Sequence, residues 1–183
     1  MSEELIVRHC SPTLAGIKTA GAFSCSYRSE EELRREIRRL NRKLVRRGLR
    51  IVPLRIRDGK ALIYVYRPDR LQGDLLSAEA ERLLRAHGYE DLRADRSVVR
   101  LAERLRDCDG FPHEIGLFLG YPPEDVAGFI ENGAKGYKLC GAWKVYGDEE
   151  QARLLFARYK KCTDVYLRHW SLGRPIERLT VCR

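Results

Sequence analysis

The clearest amphipathic pattern of the chain lies between residues 30 and 47. Four aliphatic residues recur there at the spacing of one buried helix face: Leu33, Ile37, Leu40 and Leu44. Ser29 precedes this stretch as an N-cap, Glu32 three residues later completes a capping box, and Gly48 supplies a C-terminal stop. The pattern therefore predicts an amphipathic helix with one face in the core.

A β-hairpin is predicted directly after this helix, over about 50–66. Asp58-Gly59 is a two-residue turn of the type I′ kind. Pairing outward from the turn makes one side apolar, with Ile56 opposite Ala61, Leu54 opposite Ile63 and Val52 opposite Val65. The other side carries three basic and two aromatic residues: Arg55, Arg57, Lys60, Tyr64 and Tyr66. Pro53 favours an edge position for the first strand.

Helical patterns occupy most of the remaining chain. Ser11 followed by Pro12 predicts a helix start, and this helix would continue to Ala20. Further helices are predicted over 77–86, from 95 or 97 to 105, from 112 to 119, from 123 to 132 and from 148 to 173. Residues 137–146 instead alternate between apolar and polar and predict a strand.

These elements predict an α+β fold, a single compact domain over residues 1–183. The domain would be mostly helical, with a small antiparallel sheet made of the hairpin at about 50–66 and the strand at about 137–146. The alternative is two subdomains that meet near 70–76 or 107–112.

The charge of the chain is concentrated in one segment. Lys and Arg number 35 against 26 Asp and Glu, a formal net charge of +9, and residues 28–57 account for +8 of it. Six arginines of this segment form a candidate surface for a polyanion or a partner: Arg35, Arg38, Arg42, Arg46, Arg55 and Arg57. Nucleic acid and an acidic protein are both open as partners.

Several classes of protein receive no support from the sequence. No apolar stretch is long enough to span a membrane, and the acidic start Met1-Ser2-Glu3-Glu4 is unlike a signal peptide, so we expect a cytoplasmic location. The six cysteines contain no C-x-x-C pair; they are Cys10, Cys25, Cys108, Cys140, Cys162 and Cys182. The glycine-rich phosphate-binding patterns and G-x-S-x-G do not occur either.

The stretch from His9 to Lys18 is the first candidate site. Cys10 would lie just before the predicted helix start, where the helix dipole lowers the pKa of a thiol. Lys18 lies about a turn and a half further on, so an anion could be held there by the first-turn amides. The candidate ligand- or anion-binding residues of this stretch are His9, Ser11, Thr13 and Lys18.

The stretch from Asp109 to Tyr121 is the second candidate. His113 would act with Cys10 as a catalytic pair, if the fold brings them together. Glu114 and Tyr121 are further candidate ligand-binding residues. Leu117 stands where H-E-x-x-H requires a second histidine, which excludes a zincin-type site.

Three stretches together resemble an uncharacterised bacterial family, the domain of unknown function 3793 family: residues 9–20, 111–126 and 143–148. The likeness covers essentially the whole chain and transfers no catalytic residue. Proteins of this family occur mainly in anaerobic Gram-positive bacteria, some beside genes for a flavodoxin or for iron uptake. The resemblance therefore implies a redox- or iron-linked role and directs attention to Cys10 and His113.

Three hypotheses follow. The first is a redox- or metal-associated protein whose pocket is built from 9–18 and 111–121, with Cys10 and His113 facing each other. The second is a nucleic-acid-binding module that uses the basic helix and the hairpin as one continuous surface. The third is a non-catalytic protein that docks an acidic flavodoxin-like partner through the same basic surface.

Overall fold

The computed structural model describes residues 2–107 and 111–182. Its helices are α1 (Glu3–Leu14), α2 (Glu30–Leu44), α3 (Pro68–Leu75), α4 (Ala78–Ala86), α5 (Ala94–Asp107), α6 (Ile115–Phe118), α7 (Pro123–Asn132), α8 (Glu149–Ser171) and α9 (Ile176–Leu179). Its strands are β1 (Ala20–Ser26), β2 (Arg50–Arg57), β3 (Lys60–Tyr66), β4 (Leu139–Cys140) and β5 (Lys144–Val145). Cys108, Asp109 and Gly110 lie outside the described residues.

The α+β prediction is confirmed: helices pack on a small antiparallel sheet with the order β1-β3-β2. The pattern-based helices are also confirmed, α2 most fully, since Ser29 caps it by accepting from the Glu32 amide and its four aliphatic residues are buried. Pro53 lies on the edge strand β2, as predicted. No helix of the described part of the chain is long and apolar enough to cross a membrane.

Strand β1 replaces the helix that was predicted to continue to Ala20. Helix α1 begins already at Glu3, is kinked at Cys10 and ends at Leu14. Gly16 then turns the chain with a φ of 70°, a left-handed conformation that glycine adopts at no steric cost. The chain therefore doubles back, and β1 pairs with β3 along its whole length.

A β-bulge in β2 changes the predicted hairpin register. Ile56 lies opposite Ala61 as expected, but the register shifts between Pro53 and Arg55. Leu54 and Val52 consequently pack with Tyr64 and Tyr66, on the side away from α2. The two tyrosines share a side with Arg55 as predicted, yet they are buried, so the expected exposed surface of tyrosines among basic residues does not exist.

The sheet separates two hydrophobic cores. On one face, β1 and β3 pack with α1, α2 and α9 around Phe23, Ile63 and Val65. On the other face, Tyr64 and Tyr66 pack against α3, α4, α5 and α6. This arrangement leaves the 111–147 region at the edge of the second core.

The strand predicted over 137–146 is not part of the main sheet. Only Leu139–Cys140 and Lys144–Val145 pair, and they form a separate small hairpin. Gly141 lies at its turn, where a Cβ atom would lie 2.3 Å from the Phe156 ring of α8. The short hairpin is thus packed against α8, next to a small third core that contains Trp143 and Val145.

Candidate functional site

The three stretches that carry the family resemblance meet around Tyr121. The Tyr121 ring stacks on Trp143 with a centroid distance of 4.7 Å and an interplanar angle of 25°. The Lys18 Nζ atom lies 5.0 Å from the centroid of the same ring. Trp143 also contacts the edge of Phe156 from α8, at 4.6 Å between centroids. One aromatic side chain therefore joins segments that are about a hundred residues apart in sequence.

Asp125 fixes the β4–β5 hairpin to α7. Its buried carboxylate accepts hydrogen bonds from Trp143 Nε1 at 2.6 Å, from the Tyr146 amide at 2.7 Å and from the Gly147 amide at 2.8 Å. The side chain lies in the first turn of α7, which begins at Pro123. Charge-assisted bonds of this kind are strong, so the wall that Trp143 forms is well anchored.

A cavity of about 500 Å³ lies between α6, α7 and the β4–β5 hairpin; we call it the His113 cavity. Its walls are mainly apolar and aromatic and include Phe111, His113, Tyr121, Val126, Phe129 and Trp143. His113 packs edge-on against Phe129, with 4.8 Å between centroids. Lys144 also lines the cavity and donates to the Ala134 carbonyl at 3.1 Å.

Glu114 does not line the His113 cavity. Its carboxylate is buried and accepts from Arg104 Nε at 2.6 Å and from the Tyr89 hydroxyl at 3.1 Å. A buried carboxylate needs such partners to offset its lost hydration. The prediction that Glu114 binds a ligand is therefore wrong: its side chain is used inside the core.

A second cavity, of about 360 Å³, lies between α1, β1 and α8; we call it the Lys18 cavity. Leu119, Tyr121 and Ala142 line both cavities. Four residues of the first candidate stretch also line the Lys18 cavity: His9, Pro12, Thr13 and Lys18. Helix α8 contributes Phe156, Tyr159, Lys160 and Thr163 to its walls.

Lys18 is the most constrained side chain of this second cavity. Its Nζ atom donates to the Ala20 carbonyl at 2.5 Å and to the Leu119 carbonyl at 2.7 Å. Burial lowers the pKa of Lys18 to about 8, although the nearby Cys10 and Asp74 act in the opposite direction. The amine is thus held in place by two backbone acceptors in a poorly hydrated position.

Cys10 lines neither cavity, contrary to the prediction of a reactive thiol. It is fully buried at the kink of α1 and packs so closely on β1 that a Cβ atom at Gly21 would lie 2.8 Å from its Sγ atom. Burial raises the pKa of Cys10 to about 12. The expected lowering by a helix dipole is absent because α1 begins at Glu3 and runs through Cys10. A sealed thiol cannot act with His113, which lies in the wall of the first cavity.

Ser11 is also part of the core. It is fully buried and its hydroxyl donates to the Val7 carbonyl one turn earlier in α1. Thr13 is fully buried as well, but its Oγ1 atom has no hydrogen-bond partner. Of the predicted anion-binding residues, the structure therefore brings His9, Thr13 and Lys18 to one cavity and leaves Ser11 out.

The basic residues of 28–57 do not form one continuous surface, contrary to expectation. Four exposed arginines form a stripe on the outer face of α2 and of the 3-10 turn that follows it (Val45–Arg47), which we call the arginine stripe: Arg35, Arg38, Arg42 and Arg46. Arg55 and Arg57 pair with Leu62 and Lys60, which face the other side of the sheet. Helix α2 packs on the opposite face of the sheet, with Ile63 and Val65, and this separates the two sets.

Sequence reasoning missed several residues of the site. Asp125 was assigned only to the first turn of a helix, and Trp143 to an ordinary strand; Phe129 and Lys160 were not singled out. Asp125 and Trp143 could have been identified from the sequence, because they lie in two of the stretches that carry the family resemblance, 111–126 and 143–148. Within residues 2–107 and 111–182, no group of three or more His, Cys, Asp and Glu side chains is placed to hold a metal ion.

The sequence profile of one protein family matches residues 6–180, and its description reads "Protein of unknown function (DUF3793)". No curated protein and no solved structure matches the chain. The site described above therefore has to be interpreted from its own geometry.

Proposed function

The chain belongs to the DUF3793 family, and we propose that it binds a small organic molecule with a planar ring in the His113 cavity. The observation that carries this proposal is the convergence of all three resemblance stretches on Tyr121 and Trp143, which form a wall of that cavity. Ligand sites are typically concave, largely apolar and lined by a few polar groups.

The dimensions and chemistry of the cavity support a ring-bearing ligand. A volume of about 500 Å³ is within the ordinary range for small-molecule sites. Tyr121, Trp143 and Phe129 offer aromatic faces and edges, while His113 and Lys144 supply polar groups at the walls. Asp125 also lines the cavity, but its carboxylate already accepts three hydrogen bonds from the protein, so we assign it to shaping the wall.

The neutral dye prodan provides a direct test, since its emission shifts to the blue in an apolar site. We expect saturable binding with one dye per chain. Cys140→Phe would weaken binding at least tenfold, because Cys140 is exposed and lines the His113 cavity. The matched control is Ala157→Phe, an exposed alanine of α8 that does not line this cavity. No saturable binding, or equal binding by both variants, would overturn the proposal.

Under this proposal, the redox- or iron-linked role expected from the resemblance depends on whether the ligand of the His113 cavity is a redox-active molecule. We take the protein to be cytoplasmic, in line with the five described cysteines, which are all free thiols. The absorption spectrum of the purified protein, with metal analysis, tests the role. A visible band or bound iron supports a redox ligand; a colourless, metal-free protein that still binds prodan argues against it.

The arginine stripe supports a second candidate function, the docking of a protein with an acidic surface. Its four members form no ion pair with any described residue, whereas their neighbours on α2 do. Arg34 pairs with Glu30 at 2.6 Å, and Lys43 pairs with Glu177 at 2.7 Å. Unpaired exposed arginines along about three helical turns fit a row of carboxylates.

An acidic protein fits this surface better than a nucleic acid. Single-stranded nucleic acids are held by aromatic stacking as well as by charge. The tyrosines that would have stacked on bases, Tyr64 and Tyr66, are buried under the helices of the second core. Arg55 and Arg57 lie on the other side of the sheet and do not extend the stripe.

Fluorescence anisotropy with labelled poly-L-glutamate and with a single-stranded oligonucleotide tests the docking function. Reversal of charge at Arg38, Arg42 and Arg46 should weaken poly-L-glutamate binding at least tenfold. The matched control reverses three exposed arginines elsewhere, Arg82, Arg96 and Arg106. Tighter binding of the oligonucleotide than of poly-L-glutamate, with a steep salt dependence, would favour nucleic acid instead.

A further inference from the structure

The ammonium group of Lys18 lacks an acidic partner. Its hydrogen bonds go to the Ala20 and Leu119 carbonyls, and it forms no ion pair with any described carboxylate. Asp74, whose charge acts to raise the pKa of Lys18, instead accepts from the Thr19 hydroxyl. Cations in poorly hydrated positions are usually paired with an anion, because partial dipoles offset only part of the lost hydration.

Among the described residues that line the Lys18 cavity, none is acidic. The polar side chains of the Lys18 cavity are basic or neutral: His9, Thr13, Lys18, Tyr159, Lys160 and Thr163. One of them, the Thr13 hydroxyl, is buried and has no partner among the described residues. Two lysines and a histidine that line one concavity are complementary to a negatively charged group.

We propose that the Lys18 cavity binds an organic anion whose carboxylate or phosphate group accepts a hydrogen bond from the Lys18 ammonium. An ammonium has three N–H donors, of which two go to backbone carbonyls, so one donor is left for a ligand oxygen. Lys160, at the exposed rim on α8, adds a second positive charge.

The apolar part of the ligand lies against Leu119, Tyr121 and Phe156. A volume of about 360 Å³ exceeds what a free inorganic ion needs, which favours an organic anion over an ion alone. Lys18 does not line the His113 cavity, although the two cavities share Leu119, Tyr121 and Ala142. The need for a negative charge can therefore be tested apart from the ring-binding function proposed above.

Three probes of similar shape separate charge from apolar contact: benzoate, phenyl phosphate and the uncharged benzyl alcohol. Dissociation constants are measured at pH 7 by isothermal titration calorimetry. We expect benzoate or phenyl phosphate to bind at least tenfold more tightly than benzyl alcohol. Whichever of the two anions binds more tightly identifies the carboxylate or the phosphate as the natural group. Equal binding of all three probes would overturn the proposal.

Variants test whether the anion binds in the Lys18 cavity. Lys18→Met should weaken binding of the preferred anion at least tenfold, while prodan binding in the other cavity persists. Because Lys18 also donates hydrogen bonds to two backbone carbonyls, a second variant is needed. Lys160 forms no hydrogen bond or ion pair with a described side chain. Lys160→Met should weaken binding about threefold by removing a positive charge at the rim. Lys161→Met is its matched control, exposed on the same helix but outside the cavity. Anion affinity unchanged in Lys160→Met and in folded Lys18→Met would overturn the assignment.

Discussion

Burial acts in opposite directions on the pKa values of Cys10 and Lys18, which belong to the same stretch of sequence. It raises the pKa of Cys10 to about 12 and lowers the pKa of Lys18 to about 8. In both cases the cause is that the charged form loses its hydration. The sequence identified this stretch as a candidate site. The charge of each ionised form sets the direction of its shift, whereas the depth of burial, which the sequence did not show, sets its size.

Cys10 should therefore resist alkylation. With iodoacetamide at pH 8, we expect Cys10 to be modified at least tenfold more slowly than the exposed Cys140 and Cys182. Peptide mass spectrometry over a time course measures the three rates. In urea the rates should converge, since the thiols then share one environment. Fast modification of Cys10 in the folded protein would show that its thiol is accessible.

Anion binding at Lys18 should weaken above neutral pH. Because the pKa of Lys18 is about 8, the protonated fraction falls about tenfold between pH 7 and pH 9, and the affinity for benzoate should fall by the same factor. Benzoate itself does not titrate in this range. Calorimetry at pH 7, 8 and 9 measures the profile, and Lys18→Arg, which stays charged, should flatten it.

Burial moves the pKa values of two titratable groups near Lys18 further above this pH range. The charged and titratable side chains that face it from α1, α3 and α8 are His9, Cys10, Asp74, Tyr159 and Lys160. Burial raises the pKa of Cys10 to about 12 and that of Tyr159 above its usual 10. A flat benzoate profile in the native protein would therefore contradict a role for the Lys18 ammonium.

At the scale of elements, the capped helices and the hairpin strands β2 and β3 were predicted closely, whereas β1 was missed. Helix α2 has a full set of caps and one clean apolar face, so its limits could be predicted closely. Strand β1 consists mostly of small residues, and only its second half alternates, with Phe23 and Cys25 buried and Ser24 and Ser26 exposed, so its periodic signal is short. The bulge at Leu54 depends on packing against the second core, which no turn sequence specifies. The site was only partly predictable for the same reason, since its walls come from the β4–β5 hairpin and α8.

The β4–β5 hairpin should depend on Asp125. Asp125→Ala would leave three donors without their acceptor, and we expect the free energy of unfolding to fall by about 3 kcal/mol. Urea denaturation measures this change. Glu131→Ala, an exposed acid on the same helix, should change stability by less than about 0.5 kcal/mol. Similar stability of the two variants would mean that the hairpin is held by its apolar contacts alone.

At the scale of the whole molecule, one buried arginine connects elements that are far apart in sequence. Arg67 follows β3 and donates to the carbonyls of Thr13 and Leu14 at 2.7 Å each, and to the Val181 carbonyl at 2.9 Å. The first two carbonyls belong to the last turn of α1, where a cation is favoured. The end of α1, the sheet and the C-terminal segment are thereby joined at one guanidinium.

Arg67→Lys should be costly although it preserves the charge. A lysine cannot reproduce the forked geometry of the guanidinium, so several buried carbonyls would lose their donors and stability should fall by about 2 kcal/mol. Hydrogen exchange should show the largest loss of protection around 176–182. Arg70→Lys is the comparison, since Arg70 donates to a single described carbonyl, that of Gly16. Equal losses in both variants would contradict a joining role for Arg67.

The shared wall at Tyr121 has a thermodynamic consequence. The ring borders both cavities and also supports the Lys18 ammonium, so a molecule that shifts it in one cavity alters the shape and the local field of the other. Any such effect is reciprocal: the factor by which a ring-bearing molecule changes the affinity for an anion equals the factor by which the anion changes the affinity for that molecule. The two cavities then behave as a pair of coupled binding sites, and the level of one compound sets the occupancy of the other.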